Sequence, residues 1–368
     1  MLIQLAVLGI LVALLPLATV WASRDADKYR KLIWVTLFFT FDLIMFGAFT
    51  RLTDSGLGCP DWPGCYGQGN PIQAHADISA AEAAMPTGPV TVMKAWIEMI
   101  HRYLAIGIGV LIVALMLTSW RRWLQSGRQD AKFLPLLPTA LFAFVCLQGA
   151  FGAWTVTMKL QPVIVTIHLL LGMALLALLT WFGLRQSDPA PVATAAAALR
   201  FSAALAAVLL AIQIALGGWV STNYAVLVCM DVLLCQGSLM PQMDFANGFT
   251  LWRDLGMTAN GEFLPLSALT AIHWTHRVFA VAVVALLAWV GLRSLKIEGL
   301  QRPARWLLAV VALQFATGIL TVFFDFPLAL AVIHNGGAAL LLFLLVILNY
   351  KIWMASQNNS SQAATELS

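Results

Sequence analysis

The chain of 368 residues is 61% hydrophobic and 10% charged, whereas soluble domains are about 45 to 50% apolar and about 25% charged. This composition excludes a soluble globular domain and indicates a polytopic, integral membrane protein. The net charge is +4, but the basic residues lie in short clusters between apolar runs. Such clusters favour topology signals over a nucleic-acid surface, so no nucleic-acid partner is predicted.

Apolar runs of about 20 residues, the length that crosses a bilayer core, predict nine membrane helices. The first run is short enough for a signal peptide, but its charged flank follows the apolar stretch, so we predict a retained helix. The polar end of the chain is predicted to be a disordered tail. The runs lie near residues 2–22, 31–50, 93–119, 134–157, 162–184, 200–222, 267–293, 304–324 and 328–352.

Basic clusters lie between alternate runs, which by the positive-inside rule places these loops in the cytoplasm. The N-terminus is then predicted outside and the C-terminus inside. The two long connections, 51–92 and 223–266, are predicted to face outward. The clusters are Arg24, Lys28, Arg30 and Lys31; Arg121, Arg122, Arg128 and Lys132; Arg185 and Arg200; and Arg293, Lys296, Arg302 and Arg305.

Several features recur at nearly one offset, which predicts an internal duplication. The offset is 175 residues from His101 to His276, 166 from His168 to His334, and 170 from Cys59 to Cys229. We therefore predict an all-α fold of two tandem four-helix bundles related by internal pseudo-symmetry, plus one extra N-terminal transmembrane helix. The predicted divisions are 1–30 for the extra helix and its loop, 31–190 and 191–354 for the two units, and 355–368 for the tail.

Four histidines occupy repeat-related positions at matched depth. At 1.5 Å per residue, His101 and His276 lie roughly 12 to 15 Å from the outer ends of their helices, and His168 and His334 lie about 9 Å from theirs. Two imidazoles on facing helices are what six-coordinate heme iron requires. The pattern predicts one bis-histidine site in each unit, in the outward-facing half of the bilayer. The alternative is a set of satisfied polar groups in helix interfaces.

Charged and polar residues accompany these histidines. Glu98 and His101 are three residues apart and share one helical face. A carboxylate beside a heme edge acts as a general base toward water or stabilises positive charge; the alternative is a buried hydrogen bond or a salt bridge with Arg102. His273 stands at the matching place in the second unit, as a supporting group or an alternative ligand. Arg102 and Arg277 either reach heme propionates or snorkel to the interface.

Four cysteines form two pairs in the outer connections, each with a spacing of six residues. Outside the cytoplasm such pairs form disulfides. Cys59 and Cys65 lie in a Gly- and Pro-rich loop, where a staple over the site and a redox role remain open. A zinc or iron-sulfur site is disfavoured because its cysteines usually come as closely spaced pairs.

The motif Thr-Asp-Ser-Gly-Leu-Gly-Cys-Pro-Asp-Trp-Pro at 53–63, the Glu-x-x-His-Arg from Glu98 to Arg102 and the repeated histidines together resemble the heme A synthase family. The resemblance covers about residues 31–352. It implies an oxidoreductase that converts heme O to heme A by stepwise oxidation of the ring methyl to a formyl group, with oxygen from water. It also implies service to heme-copper oxidases in a bacterial inner membrane.

The same resemblance implies roles for single residues. Heme b is expected as a cofactor with His276 and His334 as axial ligands, and heme O as the substrate near His101 and His168. Glu98 matches the family's essential acidic residue. Cys59 and Cys65 match loop cysteines with a proposed part in electron or substrate handling. Heme O synthase and oxidase assembly factors are expected partners, with an unidentified electron acceptor.

Two features depart from the family's pattern. Its usual core has eight spans, so the extra N-terminal helix is expected to serve assembly or a partner. The second outer loop lacks the Gly- and Pro-rich motif, which indicates different jobs for the two units and a structural disulfide between Cys229 and Cys235. The alternatives are a diheme b-type electron-transfer subunit and, less favoured, a transporter. Glu98 and the first loop favour the enzyme because they break the internal symmetry.

Overall fold

The computed structural model describes residues 1–187 and 190–366, with side chains as far as residue 357. Nine helices in this part of the chain are long and apolar enough to cross a membrane. The predicted all-α polytopic fold is therefore confirmed. The long helices are α1 (Leu2–Ala22), α2 (Lys28–Leu52), α4 (Val92–Gln125), α5 (Leu136–Thr157), α6 (Pro162–Arg185), α7 (Arg200–Thr222), α9 (Leu266–Ser294), α10 (Gln301–Phe323) and α11 (Leu328–Glu366).

The two long outer connections contain short helices. α3 (His75–Ala84) lies in the first connection and α8 (Phe245–Gly248) in the second, and 3₁₀ turns lie at Ala131–Phe133, Thr194–Leu199 and Ala225–Val228. At the other end of the chain, α11 enters the stretch predicted to be a disordered tail. The last two residues of that stretch lie outside the described residues, and disorder of the tail stays a prediction.

Contacts between helices divide the chain into two units, Met1–Gln186 and Ser187–Ser368. In the first unit α2, α4, α5 and α6 form a ring in which each helix contacts the next and α6 returns to α2. In the second unit α7, α9, α10 and α11 form a ring with the same order of neighbours. The first unit also contains α1, which packs on α4 and α2. The predicted domain limits and the symmetry operation stay predictions.

α1 crosses α4 at two glycines. A Cβ at Gly9 would collide with the side chain of Ile106, and a Cβ at Gly107 would lie 2.8 Å from the side chain of Val12. Small residues at a crossing let two helix backbones approach closely, which is how membrane helices gain packing energy without a hydrophobic driving force. α1 therefore docks on the outside of the first four-helix ring at a defined register.

Polar contacts join two loops of the first unit at the end where α2 begins and α4 ends. The side chain of Asp27 caps α2 by accepting a hydrogen bond of 3.0 Å from the backbone N–H of Arg30. Lys132, after α4, forms an ion pair with Asp27 at 2.6 Å. These contacts join the α1–α2 loop to the α4–α5 loop at the end that the basic clusters predict to be cytoplasmic.

Candidate functional site

His101 of α4 and His168 of α6 lie near each other in the first unit. A glycine of a neighbouring helix faces each ring. A Cβ at Gly47 would lie 3.1 Å from Nε2 of His101, and a Cβ at Gly152 would lie 3.2 Å from Cε1 of His168. The ring of Phe46 stacks nearly parallel to His101, with centroids 6.3 Å apart. The two imidazoles are thus flanked by residues that allow close approach of a flat group.

The second unit repeats this arrangement with His276 of α9 and His334 of α11, which also lie near each other. A Cβ at Gly217 would lie 3.0 Å from Cε1 of His276, and a Cβ at Gly318 would lie 3.2 Å from Cε1 of His334. The structure therefore brings together the four histidines in the two pairs that the sequence predicts. Their ligation of iron stays a prediction.

The two pairs differ in what holds the rings, and the second pair has side-chain partners. The amide nitrogen of Gln213 lies 3.0 Å from Nδ1 of His276. The hydroxyl of Thr317 lies 3.0 Å from Nδ1 of His334 and also donates to the carbonyl of Gln314 at 3.1 Å. Because this hydroxyl has one proton, it accepts from Nδ1–H of His334, which leaves Nε2 with its lone pair. A hydrogen bond of this kind fixes the tautomer and orientation of a histidine ligand.

The first pair has no such support. No side chain in the described part of the chain hydrogen-bonds the ring of His101, and Nδ1 of His168 is buried without a side-chain partner. The polar neighbour of the His168 ring is the backbone of Gln148. At the repeat-related positions of Gln213 and Thr317 the first unit has Leu43 and Phe151. The rings of the second pair are therefore hydrogen-bonded by side chains, whereas those of the first pair pack against Phe46 and two glycines.

Glu98 lies at the centre of a buried polar cluster in the first unit; it is 4% exposed, and Arg102 is 8% exposed. One carboxylate oxygen pairs with Arg102, and the other accepts a hydrogen bond of 2.8 Å from the backbone N–H of Cys59. Arg102 also donates to the carbonyls of Pro63 and Gly64. The predicted alternative, a salt bridge with Arg102, is present, and a general-base role for Glu98 stays a prediction.

His273 and Arg277 form the corresponding cluster in the second unit. Arg277 donates to the carbonyls of Asp231 at 2.6 Å, of Leu234 at 3.1 Å and of Cys229. Its Nε donates to Nε2 of His273 at 3.2 Å. His273 therefore orients Arg277 much as Glu98 orients Arg102. This use of Nε2 favours the supporting role for His273, and ligation of iron by it stays a prediction.

Both arginines direct their guanidinium groups at the backbone of an outer loop. Arg102 holds the first loop and Arg277 the second, each through two or more carbonyls. Neither role was predicted from the sequence, because a carbonyl in a loop leaves no trace in residue type. A contact of either arginine with a heme propionate would compete with these bonds and stays a prediction.

Both predicted disulfides, Cys59–Cys65 and Cys229–Cys235, are present, and all four cysteines are fully buried. Beside each disulfide the backbone closes in the same way: the second cysteine exchanges two hydrogen bonds with the residue three positions later. The loops differ in their surroundings. The first disulfide belongs to a buried cluster that also contains Leu5, Ile78 and Met99, whereas the second loop exposes apolar side chains at Met230, Val232, Leu233, Leu239 and Met240.

The donor set fits a heme better than a bare metal ion. Among the described residues, no group of three or more His, Cys, Asp or Glu side chains is placed to hold a metal ion. A porphyrin brings its own four nitrogens and needs only one imidazole on each side. Paired histidines beside glycines, with Nδ1 of His334 held by Thr317, satisfy this need.

A family model described as cytochrome oxidase assembly protein matches residues 30–346. The match spans most of the chain, including both histidine pairs, both disulfides and Glu98. This chain belongs to that family. The match to the cytochrome oxidase assembly family begins at residue 30, after the end of α1. The helix α1, which packs on α4 at Gly107, therefore lies outside the matched region.

Curated relatives of this family member cover nearly the whole chain. It is 40% identical over 335 residues to the heme A synthase of Shewanella oneidensis, which is 89% of this chain and 98% of that protein. It is 30% identical over 338 residues to a heme A synthase of Rhodopseudomonas palustris, covering 86% of this chain and 89% of the relative. A heme A synthase of a Bradyrhizobium species is 28% identical over 368 residues, 95% of this chain and 96% of the relative. The resemblance to the heme A synthase family is thus confirmed.

Sequence reasoning missed Gln213 and Thr317, two of the three side chains that contact the rings of the second pair; the third, Gln314, has its amide nitrogen 3.4 Å from Nε2 of His334. A signal for Thr317 was present, since the repeat aligns it with Phe151 in the segments around Gln148 and Gln314. A polar residue that replaces an aromatic one beside a membrane histidine indicates a specific partner. Gln213 had no such motif around it, and only the packing of α7 against α9 identifies it.

Proposed function

We propose that this chain is a heme A synthase that oxidises the ring methyl of heme O to a formyl group by successive hydroxylations, with oxygen from water. The relatives of that name, which cover almost the full chain, support this proposal. The observation on which the assignment rests is an asymmetry: both units pair two histidines, but only the first places Glu98 on the face of His101, and only the second fixes its rings with side chains.

The first unit is proposed as the substrate site. A substrate has to enter and leave, so its ligands must release it and adapt to a product of different polarity. Among the described residues, no side chain hydrogen-bonds the ring of His101 or of His168, and Nδ1 of His168 is buried without a partner. Gly47 and Gly152 let the two rings pack closely against the neighbouring helices, as the corresponding glycines do in the second unit. These features suit an exchangeable heme O.

The second unit is proposed to hold heme b, with His276 and His334 as axial ligands. Thr317 accepts from Nδ1–H of His334 and so leaves on Nε2 the lone pair that would bind the iron, and the Gln213 amide contacts the ring of His276. When bound, heme b supplies a one-electron carrier. Ligands held by second hydrogen bonds suit a group that stays in place through many turnovers.

Glu98 is proposed to act on the water that attacks the substrate. Each oxygen of its carboxylate accepts one protein hydrogen bond and keeps lone pairs for another donor. Arg102 and the N–H of Cys59 hold the carboxylate on the side of α4 that also presents His101. From this position Glu98 accepts a proton from water or stabilises positive charge that develops on the substrate.

The setting of the reaction follows from the topology that the basic clusters predict. We propose a multi-pass protein of a bacterial plasma membrane with both heme sites in the outward-facing half of the bilayer. Heme O synthase would supply the substrate, and oxidase assembly factors would receive the product. The electrons pass to an acceptor that is not identified.

The test is to express the chain in a membrane that supplies heme O, purify it in detergent, and identify the extracted hemes by mass and reduced absorption spectrum. We expect heme B together with heme A or a hydroxylated heme O. These oxidised products should disappear when His101 is replaced. Heme B alone, at two per chain and independent of heme O supply, would instead establish a diheme electron carrier.

A further inference from the structure

α1 contacts the first disulfide loop as well as α4. A Cβ at Gly64 would lie 2.6 Å from Sδ of Met1, and a Cβ at Gly69 would lie 2.5 Å from Oε1 of Gln4. One residue further along α1, Leu5 is buried in the cluster that contains both cysteines of the first disulfide. The outer end of α1 therefore presses directly on the loop.

The same two glycines are held from the other side by α4. The carbonyl of Gly64 accepts a hydrogen bond from Arg102, and the carbonyl of Gly69 accepts one of 2.8 Å from the hydroxyl of Tyr103. The loop is thus clamped between side chains of α1 and side chains of α4. At Gly69 a Cβ would collide with the side chain of Gln4, and at Gly64 it would meet the loop's own Gln68 carbonyl as well as Met1, so the loop packs tightly where α1 reaches it.

The clamped loop is bonded to Glu98. The backbone N–H of Cys59 donates to the carboxylate, and a Cβ at Gly58 would collide with the backbone of Lys94 and Ala95. Movement of the loop away from α4 would break the bond from Cys59 and remove carbonyl partners of Arg102. Displacement of α1 is therefore expected to disturb the carboxylate through the loop.

The second disulfide loop has no matching helix. Arg277 holds it from α9, but its outer side exposes Met230, Leu233 and Met240, among which Leu233 is 79% exposed. The clamp thus belongs to the unit that contains Glu98. Because the second unit forms the same four-helix ring without such a clamp, the clamp is related to the site with Glu98 and not to the fold in general.

We infer that α1 is a positioning element that clamps the Cys59–Cys65 loop against α4 and so holds Glu98 and Arg102 in place. Leu5, Gly9 and Gly107 are its positioning residues, because they fix the register of α1 without touching either histidine pair. The expected effect on turnover rests on the proposed function. The expected effect on the loop does not.

The experiment compares Gly107→Leu with Gly109→Leu in the full-length purified protein. Gly107 faces α1, whereas a Cβ at Gly109 meets open space, so the second variant makes the same change on the same helix without touching α1. Each protein is treated with dithiothreitol, and the freed thiols are alkylated and assigned by peptide mass. The Cys229–Cys235 disulfide serves as the internal control.

Gly107→Leu is expected to speed reduction of Cys59–Cys65 about tenfold, the factor that corresponds to 1.4 kcal/mol of weakened local packing, and to leave Cys229–Cys235 unchanged. Gly109→Leu is expected to change neither rate. In cells that supply heme O, Gly107→Leu should also lower the ratio of oxidised heme to heme O while the reduced spectrum of the second-unit heme stays the same.

Leu5→Ala provides a variant that keeps the helix crossing intact if Gly107→Leu does not accumulate. It should also speed reduction of the first disulfide alone. Gly107→Ala introduces a smaller clash with Val12 and should also speed reduction of the first disulfide. Combining Gly107→Ala with Val12→Ala should restore the slow reduction of the wild type. Rescue by removal of volume on the opposite helix identifies the crossing itself as the cause.

Equal acceleration of both disulfides, or of neither, would overturn the clamp. A loosened first loop with an unchanged product ratio would leave the contact in place and overturn the positioning of Glu98. If the wild-type chain makes no oxidised heme, the proposed function fails, and the reduction rates still decide whether α1 clamps the loop.

Discussion

The two outer loops share several residues and contacts but lie in different environments. Each has cysteines six residues apart and an arginine that follows a histidine on the adjacent membrane helix and binds the loop carbonyls. The first disulfide packs in a cluster with Leu5 of α1 and Met99 of α4, and its loop is bonded to Glu98, whereas the second loop exposes five apolar side chains between Met230 and Met240. The features that the loops share build a disulfide loop in each unit. The features in which they differ indicate that the first loop also contributes to the functional site.

The histidine pairs also differ, but here it is the second unit that has the additional side-chain contacts. The second pair contacts the side chains of Gln213, Gln314 and Thr317, and within the described residues no side chain hydrogen-bonds the rings of the first pair. One unit therefore has hydrogen-bonded rings, and the other has a loop that is bonded to Glu98 and contacts α1. A resident cofactor and an exchangeable substrate would require this division, and the predictions that follow are arranged to test it.

The largest effect is expected from loss of a ligand. His276→Ala should abolish binding of the second-unit heme, because a six-coordinate iron loses one axial nitrogen from a buried site. His101→Ala should keep that heme and lose the oxidised products. Extracted heme content and the reduced spectrum measure both. Loss of heme B from His101→Ala would break the assignment of the two units.

Glu98→Gln is expected to lower product formation by about 10²- to 10⁴-fold, the usual contribution of a general acid or base, while the second-unit heme stays bound. The amide keeps the size of the side chain but not its charge, and its one acceptor oxygen can keep only one of the two hydrogen bonds from Cys59 and Arg102. His273→Gln is the matched change in the second unit and should affect product much less. Normal turnover in Glu98→Gln would remove this residue from the mechanism.

Thr317→Val should weaken binding of the second-unit heme by about 10- to 100-fold, as is typical when a ligand histidine loses its hydrogen-bond partner. Heme loss to apomyoglobin measures this change. Thr317→Ser restores the hydroxyl and should restore retention. Phe151→Thr, the reverse change in the first unit, should leave the heme in the second unit unaffected. Equal retention in Thr317→Val and the wild type would show that the hydrogen bond from His334 to Thr317 does not support heme binding.

The smallest expected effect is the difference between removal of the first disulfide and removal of the second. Because both close loops of the same length, replacing either pair by serine should cost about 2 kcal/mol of chain entropy, with similar shifts in thermal unfolding. Only the change at Cys59 and Cys65 should also lower the ratio of oxidised heme to heme O. Equal losses of product from both double variants would show that neither loop has a special relation to the site.

Much of this architecture was predictable from local pattern. The nine spans follow from apolar runs long enough to cross a bilayer. The disulfides follow from equal spacing in the two outer connections. The histidine pairs follow from the offsets between His101 and His276 and between His168 and His334. Each of these depends on residue type and sequence separation, which are visible without coordinates.

The partners of Glu98 and of the arginines were not predictable in this way. Glu98 binds the backbone of Cys59, 39 residues earlier, and Arg277 binds carbonyls more than 40 residues away. Backbone groups are the same in every residue, so the sequence does not indicate which of them a side chain will meet. The docking of α1 also depends on which face of α4 carries Gly107, and mean hydropathy does not distinguish that face from the one with Gly109.

The sequence by itself determined the membrane class, the helix count, the paired cysteines and the family resemblance, because these depend on composition, length and spacing. Tertiary structure alone decided that Gln213 and Thr317 hold one histidine pair, that Glu98 and Arg102 hold a loop, and that α1 clamps that loop from outside. The reason is physical: helices in lipid are apolar on every face, so the contacts between them are set by close packing at a few small residues and by buried polar groups that must find partners.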